Sequence, residues 1–174
     1  MNTLPEVIEN ETALDDLLTT PSPELVESVR RIPGDVMVLG VGGKMGPTLA
    51  ILLRRALEEA GSKARVIGVS RFSGPGLRER LHARGVETIP CDLLDPAQLA
   101  TLPHADTVMY LVGMKFGSTG AENLTWAMNT YLPGMVAQHF AGAQIVALST
   151  GNVYPLTPVM GGGSRETDPV GPVG

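Results

Sequence analysis

Asp35-Val36-Met37-Val38-Leu39-Gly40-Val41-Gly42-Gly43-Lys44-Met45-Gly46 is the stretch that decides the fold. Its apolar run predicts a buried strand and its glycines predict a tight turn. Apolar positions that recur from Leu49 to Ala60 predict a helix, which Gly61 ends. Glycines let the backbone approach a ligand closely, and a helix N-terminus favours an anion. The stretch therefore predicts a strand–turn–helix unit suited to the phosphates of a dinucleotide.

The glycine spacing narrows the class of nucleotide site. The strict pattern G-x-G-x-x-G fails because Met45 stands where its last glycine would be, and the spacing present is G-x-x-G-x-x-G at Gly40, Gly43 and Gly46. A Walker A loop fails as well, because Met45 follows Gly43-Lys44 where that loop needs Ser or Thr. The alternative is a turn that needs small residues only for packing.

Composition excludes several classes of protein. The 174 residues suffice for one domain, and 43% hydrophobic with 18% charged residues is typical of a soluble globular chain. A net charge of −5 without a basic run argues against a nucleic-acid partner. Cys91, the single cysteine, excludes an intrachain disulfide. The absence of a long apolar run argues against a membrane partner, and the acidic N-terminus against a signal peptide. We expect a cytoplasmic protein with a small-molecule substrate.

Further apolar runs alternate with helical patterns along the chain. Strands are predicted over 66–69, 86–89, 107–112 and 145–148, and a helix over 121–140 with a kink or break at Pro133-Gly134. This alternation predicts an α/β fold with a doubly wound parallel sheet, Rossmann-like, of order 3-2-1-4-5. Residues 1–34 are predicted to be an N-terminal helical extension, 35–154 the dinucleotide-binding domain and 155–174 a loop.

The end of the second predicted strand bears on the choice of cofactor. Ser70-Arg71 follows it, where an acidic residue would bind the ribose 2′-hydroxyl of NAD. An arginine at this point accommodates a 2′-phosphate instead, so the sequence favours NADP over NAD. In the alternative interpretation, Arg71 is a solvated loop charge.

Taken in order, the motifs resemble the extended short-chain dehydrogenases/reductases of the NAD-dependent epimerase/dehydratase type. The resemblance spans residues 35–174. The matching residues are the turn glycines Gly40, Gly43 and Gly46, the pair Asp92-Leu93, the strand exit Leu111-Val112-Gly113, Asn129, the segment Ser149–Tyr154, and Glu166, Pro169 and Pro172.

The resemblance implies a nicotinamide cofactor and an oxidoreductase that acts on a hydroxyl-bearing substrate such as a nucleotide-linked sugar. Thr150 occupies the family's catalytic Ser/Thr position, where it would hydrogen-bond the substrate oxygen; alternatively it only satisfies the backbone at a strand end. The predicted cofactor-binding residues are Gly40, Gly43, Lys44, Met45, Gly46, Ser70, Arg71, Asp92, Leu93, Leu111, Val112, Gly113 and Lys115.

One motif of that family is missing from the sequence. No Tyr-x-x-x-Lys occurs, and in the family it would fall just beyond Gly174. We therefore expect the N-terminal portion of a longer protein, inactive as given, with apolar surface bare at one sheet edge that favours a homo-oligomer. A non-catalytic NADP-sensing regulatory protein of the same fold is the alternative function.

Overall fold

The computed structural model describes residues 5–114 and 119–172, which form one parallel sheet with helices on both faces. The strands are β1 (Val36–Leu39), β2 (Val66–Ser70), β3 (Glu87–Pro90), β4 (Thr107–Tyr110) and β5 (Gln144–Ala147). The helices are α1 (Glu11–Leu18), α2 (Pro23–Val29), α3 (Gly46–Glu59), α4 (Leu77–Ala83), α5 (Pro96–Leu99), α6 (Glu122–Trp126) and α7 (Leu132–His139).

The strands lie in the order β3-β2-β1-β4-β5, and every neighbouring pair is parallel. Val36 at the start of β1 is in register with Val66 of β2 and Thr107 of β4. The predicted fold class and strand order are therefore confirmed. The predicted strand 107–112 was too long, because Leu111 and Val112 are apolar but follow the end of β4 at Tyr110.

Two apolar clusters hold the helices to the two faces of the sheet. All four residues of β1 are buried with no exposed surface, and they alternate between the clusters. One cluster joins Met37 and Leu39 to side chains of α5 and α7, and the other joins Val36 and Val38 to side chains of α2, α3 and α4. Burial on both faces explains why the central strands read as continuous apolar runs.

The helical run between β4 and β5 is continuous but irregular. A π-helical turn, Ala127–Tyr131, joins α6 to α7, and the backbone N–H of Leu132 donates to the carbonyl of Ala127. The prediction of a break at Pro133-Gly134 was wrong in position, since the irregularity precedes Pro133, the second residue of α7. Proline has no N–H with which to continue the α-helical hydrogen bonds, and the wider π-helical turn before Pro133 accommodates the missing hydrogen bond.

The first two helices pack on α3 in different ways. Ser22 caps α2 with its side chain, and Val26 and Val29 of this helix are buried. By contrast, α1 has no buried residue. Within the described ranges, no helix is long and apolar enough to cross a membrane.

Candidate functional site

A cleft of about 430 Å³ lies beyond the carboxyl ends of β1 to β4. It straddles the point where the chain order reverses on either side of β1, which is where open parallel sheets bind ligands. Four strand exits and the helical run line it. The lining residues are Gly40, Gly42, Gly43, Ser70, Arg71, Ser73, Cys91, Asp92, Leu93, Leu94, Leu111, Val112, Gly113, Met114, Leu124, Met128 and Leu132.

Most of the residues predicted to bind a cofactor come together in this lining. Those that line the cleft are Gly40, Gly43, Ser70, Arg71, Asp92, Leu93, Leu111, Val112 and Gly113. Lys44 and Met45 are exposed and Gly46 is buried at the start of α3, and none of the three is a lining residue. Lys115 lies outside the described residues.

The three glycines of the turn meet different surroundings. Gly40 has a φ of +84°, and an added Cβ would lie 3.0 Å from Cγ2 of Val112. At Gly46 an added Cβ would lie 2.6 Å from the Cα of Val41, so α3 could not start so close to the turn. At Gly43 the only neighbour within 4 Å among the described residues would be the carbonyl oxygen of Gly40, at 3.3 Å. Packing therefore requires Gly40 and Gly46, whereas at Gly43 the space is open toward the cleft.

The N-terminus of α3 leaves backbone donors available beside this turn. The helix has 14 residues, begins at Gly46 and has no side-chain cap and no acidic residue in its first turn. The first N–H groups of a helix have no partner within it, and the helix dipole adds positive potential there. Gly43 donates its own N–H to the Gly40 carbonyl at 3.0 Å and Pro47 has no N–H, so the N–H groups of Gly46 and Thr48 are the ones at this helix start that suit an anionic group.

The exit of β3 is held in a fixed shape by hydrogen bonds. Asp92 accepts the backbone N–H of Leu94 at 3.1 Å, and its own N–H donates to the side-chain oxygen of Gln98 at 2.9 Å. Asp95 caps α5, and hydrogen bonds from the Gln98 side chain and two backbone N–H groups lower the pKa of its carboxyl. Asp92 and Leu93 are thus presented to the cleft on a rigid turn.

Asn129 ties the exit of β4 to the π-helical turn. Its side-chain oxygen accepts the backbone N–H of Met114 at 2.7 Å, and its side-chain nitrogen donates to the Met114 carbonyl at 2.9 Å. The side-chain amide of Asn129 thus satisfies both backbone hydrogen-bonding groups of Met114. This fixes the segment Leu111–Gly113, which forms the wall opposite Gly40. Asn129 therefore has a structural role in this fold.

No protein-family model and no curated protein matches this sequence. Solved structures match in fold. The ADP-L-glycero-D-manno-heptose-6-epimerase of Helicobacter pylori superposes with a TM-score of 0.63 at 19% identity, over 80% of this chain and 45% of its own. WbmG of Bordetella bronchiseptica, in complex with NAD and UDP, gives a TM-score of 0.59 at 17% identity, over 79% and 44%. BdcA from E. coli, in complex with NADPH, gives 0.54 at 15%, over 70% and 53%.

The chain has a Rossmann-like fold, which it shares with these structures. At such low identity the likeness establishes the fold alone. The chain spans about half the length of these structures, at 45%, 44% and 53%.

Two hydroxyl groups of this Rossmann fold lie in environments that bear on proton transfer. Tyr110 is buried in β4, where its hydroxyl donates to the Met128 carbonyl at 3.4 Å, and burial raises its pKa to about 12. Thr150 is exposed and is not a lining residue, and its hydroxyl accepts the backbone N–H of Asn152 at 3.2 Å. Thr150 thus has the capping contact of the alternative interpretation, and its catalytic role stays a prediction.

The apolar part of the lining that comes from the helical run was not predicted from the sequence. Leu124, Met128 and Leu132 come from the helical run, and the crossover brings them to the cleft with no local signal in the sequence.

Cys91 is buried at the end of β3, where burial and the nearby carboxylates of Asp92 and Asp95 raise the pKa of its thiol. The thiol is therefore neutral at pH 7. Within the described ranges, no cluster of His, Cys, Asp and Glu could hold a metal ion.

Proposed function

We propose that this chain is the NAD(P)-binding portion of an epimerase-, dehydratase- or reductase-like oxidoreductase acting on a hydroxyl-bearing substrate. The single observation that carries the proposal is the opening at Gly43. There an added Cβ would meet, among the described residues, the Gly40 carbonyl oxygen alone, and α3 begins three residues later without a side-chain cap. A pyrophosphate suits such a turn followed by an uncapped helix N-terminus.

Each part of the lining suits one part of such a dinucleotide. The turn at Gly43 would hold the pyrophosphate through backbone N–H groups, and Asp92 with Leu93 would hold the adenine. The apolar side chains of Met128 and Leu132 offer a surface against which a ring can pack. When bound, the nicotinamide would supply hydride transfer, while the chain's residues hold and orient it.

The proposed cofactor is NADP rather than NAD. Ser70 and Arg71 line the cleft directly after β2, and Arg71 is exposed there. None of the residues from Ser70 to Gly76 carries a negative charge. A guanidinium group binds a 2′-phosphate through charge-assisted hydrogen bonds and offers nothing comparable to a 2′-hydroxyl.

The proposed reaction needs a proton-transfer group in addition to the cleft described. We place the dinucleotide-binding domain at 35–154, after the extension 1–34, with the loop 155–174 leading toward further residues. Thr150 would orient the substrate oxygen, and a tyrosine–lysine pair outside this sequence would move the proton. Nucleotide-linked sugars are the proposed substrate class. The matching structures include one named as an ADP-L-glycero-D-manno-heptose-6-epimerase and one solved in complex with NAD and UDP.

Replacing Arg71 tests the proposed cofactor. Arg71→Ala should weaken NADPH binding about tenfold or more, since a charge-assisted hydrogen bond is lost, and leave NADH binding within about twofold. Isothermal titration of the protein with each nucleotide measures both affinities. Arg165→Ala, in an exposed loop away from the cleft, is the matched control. A wild-type protein that binds NADH more tightly than NADPH would contradict the assignment.

A further inference from the structure

Phe72 occupies an unusual backbone conformation beside the cleft. Among residues 5–114 and 119–172 it is the one non-glycine residue with a positive φ, at +50°. For a bulky side chain this region of φ is costly, and such outliers persist only where the surroundings hold them. The residues on either side of it, Arg71 and Ser73, both line the cleft, whereas Phe72 does not.

The side chain of Phe72 explains how this conformation is held. In the loop 71–76, which joins β2 to α4, every residue but Phe72 is exposed. The ring of Phe72 packs against the apolar cluster beneath α3 and α4. The guanidinium carbon of Arg78 lies 5.7 Å from the ring centroid, and Nε of Arg78 donates to the Thr88 hydroxyl of β3 at 3.2 Å. The ring is thus fixed both to the core and to α4.

These contacts make Phe72 the anchor of a loop that is otherwise in solvent. Two glycines and a proline follow Ser73, so the rest of the loop has little side chain with which to hold itself. Turning the backbone at Phe72 sends its ring into the core while Arg71 and Ser73 stay at the cleft. An unanchored loop would spread Arg71 over many positions, which lowers the affinity of any contact that it makes.

We propose that Phe72 is a positioning residue that sets the preference for a 2′-phosphorylated dinucleotide by holding Arg71 at the wall of the cleft. This inference rests on the proposed function. The preference for NADPH over NADH would then depend on a side chain that contacts the core rather than the nucleotide. Its effect should therefore appear with NADPH and not with NADH.

Phe72→Gly is the test, because glycine keeps the positive φ and removes the ring. It should weaken NADPH binding about tenfold, close to the effect of Arg71→Ala, and leave NADH binding within about twofold. Phe72→Tyr keeps the ring and should bind both nucleotides like the wild type. In the double variant with Arg71→Ala, Phe72→Gly should have no further effect on NADPH, because the residue that it positions is absent.

Two controls make the result decisive. Ile32→Ala removes a half-buried side chain from the same apolar cluster, away from the cleft, and should change neither affinity. If Phe72→Gly does not fold, Phe72→Asn gives the same comparison, since asparagine also tolerates the left-handed region. Equal weakening of NADPH and NADH, no weakening of either, or an additive double variant would overturn the inference. A wild-type protein that binds neither nucleotide would overturn the proposed function itself.

Discussion

At the scale of single residues, the three glycines of the turn after β1 differ in what packing requires of them. Gly40 is fixed by its positive φ and Gly46 by its contact with Val41, so substitutions at either position disturb the fold. Gly43 has neither constraint. The spacing of the three glycines predicted the strand–turn–helix unit, but it could not show which glycine faces a ligand. That distinction depends on Val41 and Val112, whose positions follow only from the packed structure.

An ion pair between Asp35 and Arg65 links the amino ends of β1 and β2, at the end of the sheet opposite the cleft. Asp35, just before β1, accepts hydrogen bonds from the backbone N–H of Arg65 at 2.8 Å and from its Nε at 2.9 Å. These bonds, with the charge of the guanidinium, lower the pKa of the Asp35 carboxyl from its ordinary value of 3.8. The ionised carboxylate therefore stabilises the folded state. The contribution is complete above the unfolded pKa and is lost as the pH falls through the lower folded pKa.

Asp35→Asn should lower the free energy of unfolding at pH 7 by about 1 kcal/mol, because the partner is half-exposed and the pair is partly screened. The difference from the wild type should shrink as the pH falls below 3.8, where the native carboxyl also becomes neutral. Urea titrations from pH 7 down to about 2 measure it. Glu59→Gln, at the exposed end of α3, is the control. A difference that stays constant down to the lowest pH would contradict this account of Asp35.

Among the elements, α1 is attached differently from the rest. Arg55 of α3 donates to the Thr19 hydroxyl at 2.9 Å and to the Asp16 carbonyl at 3.2 Å. Arg84 pairs with Asp16 at 2.8 Å and Arg80 with Asp15 at 3.4 Å. Since α1 buries no side chain, these polar contacts hold it against α3 and α4. Exposed ion pairs weaken with ionic strength, so the attachment of α1 should depend on salt.

Replacing both acidic residues, Asp15→Asn with Asp16→Asn, should release α1 while the sheet stays folded. Proteolysis in the connection 19–22 should become about threefold to tenfold faster at low salt, the effect expected from losing two exposed pairs. Raising the salt to about 0.5 M should speed cleavage of the wild type toward the rate of the variant. Glu11→Gln on the same helix is the control. Cleavage of the wild type at one rate in low and high salt would contradict this picture of α1.

The limits of β1 and β2 were predicted closely from the sequence, because these strands are buried on both faces. The continuous apolar runs of β1 and β2 marked both strands, because residues buried on both faces leave no alternation. Leu111 and Val112 misled the prediction for β4, since an apolar wall of a cleft has the composition of a strand. The π-helical turn before Pro133 had no signal beyond the proline, because it arises from backbone bonding.

At the scale of the whole molecule, strand order determined the site. Alternating strands and helices predicted the order 3-2-1-4-5, and this order places the exits of β1, β2, β3 and β4 around one cleft. Nine of the residues contributed by those exits were therefore predicted from the sequence, whereas the exit residues Gly42, Ser73, Cys91, Leu94 and Met114 were not. Leu124, Met128 and Leu132 could not be predicted, because a long crossover carries them there.

The far edge of the sheet bears on assembly. β5 is the edge strand, and Val146 and Leu148, in and just after it, are 41% and 48% exposed. Apolar side chains on an open edge favour association with another chain or another segment. The formation of a homo-oligomer stays a prediction.

Binding of NADPH to the protein and to its Gly43→Val variant, followed by isothermal titration, tests whether the turn at Gly43 receives the pyrophosphate. A valine side chain would fill the space that the cleft leaves at Gly43, while its nearest neighbour there, the Gly40 carbonyl, is only in close contact at 3.3 Å. We expect the wild type to bind NADPH, and the folded variant to bind it about a hundredfold or more weakly. Gly134→Val, where an added Cβ meets nothing within 4 Å, should bind like the wild type. Equal binding by Gly43→Val and the wild type would contradict the account.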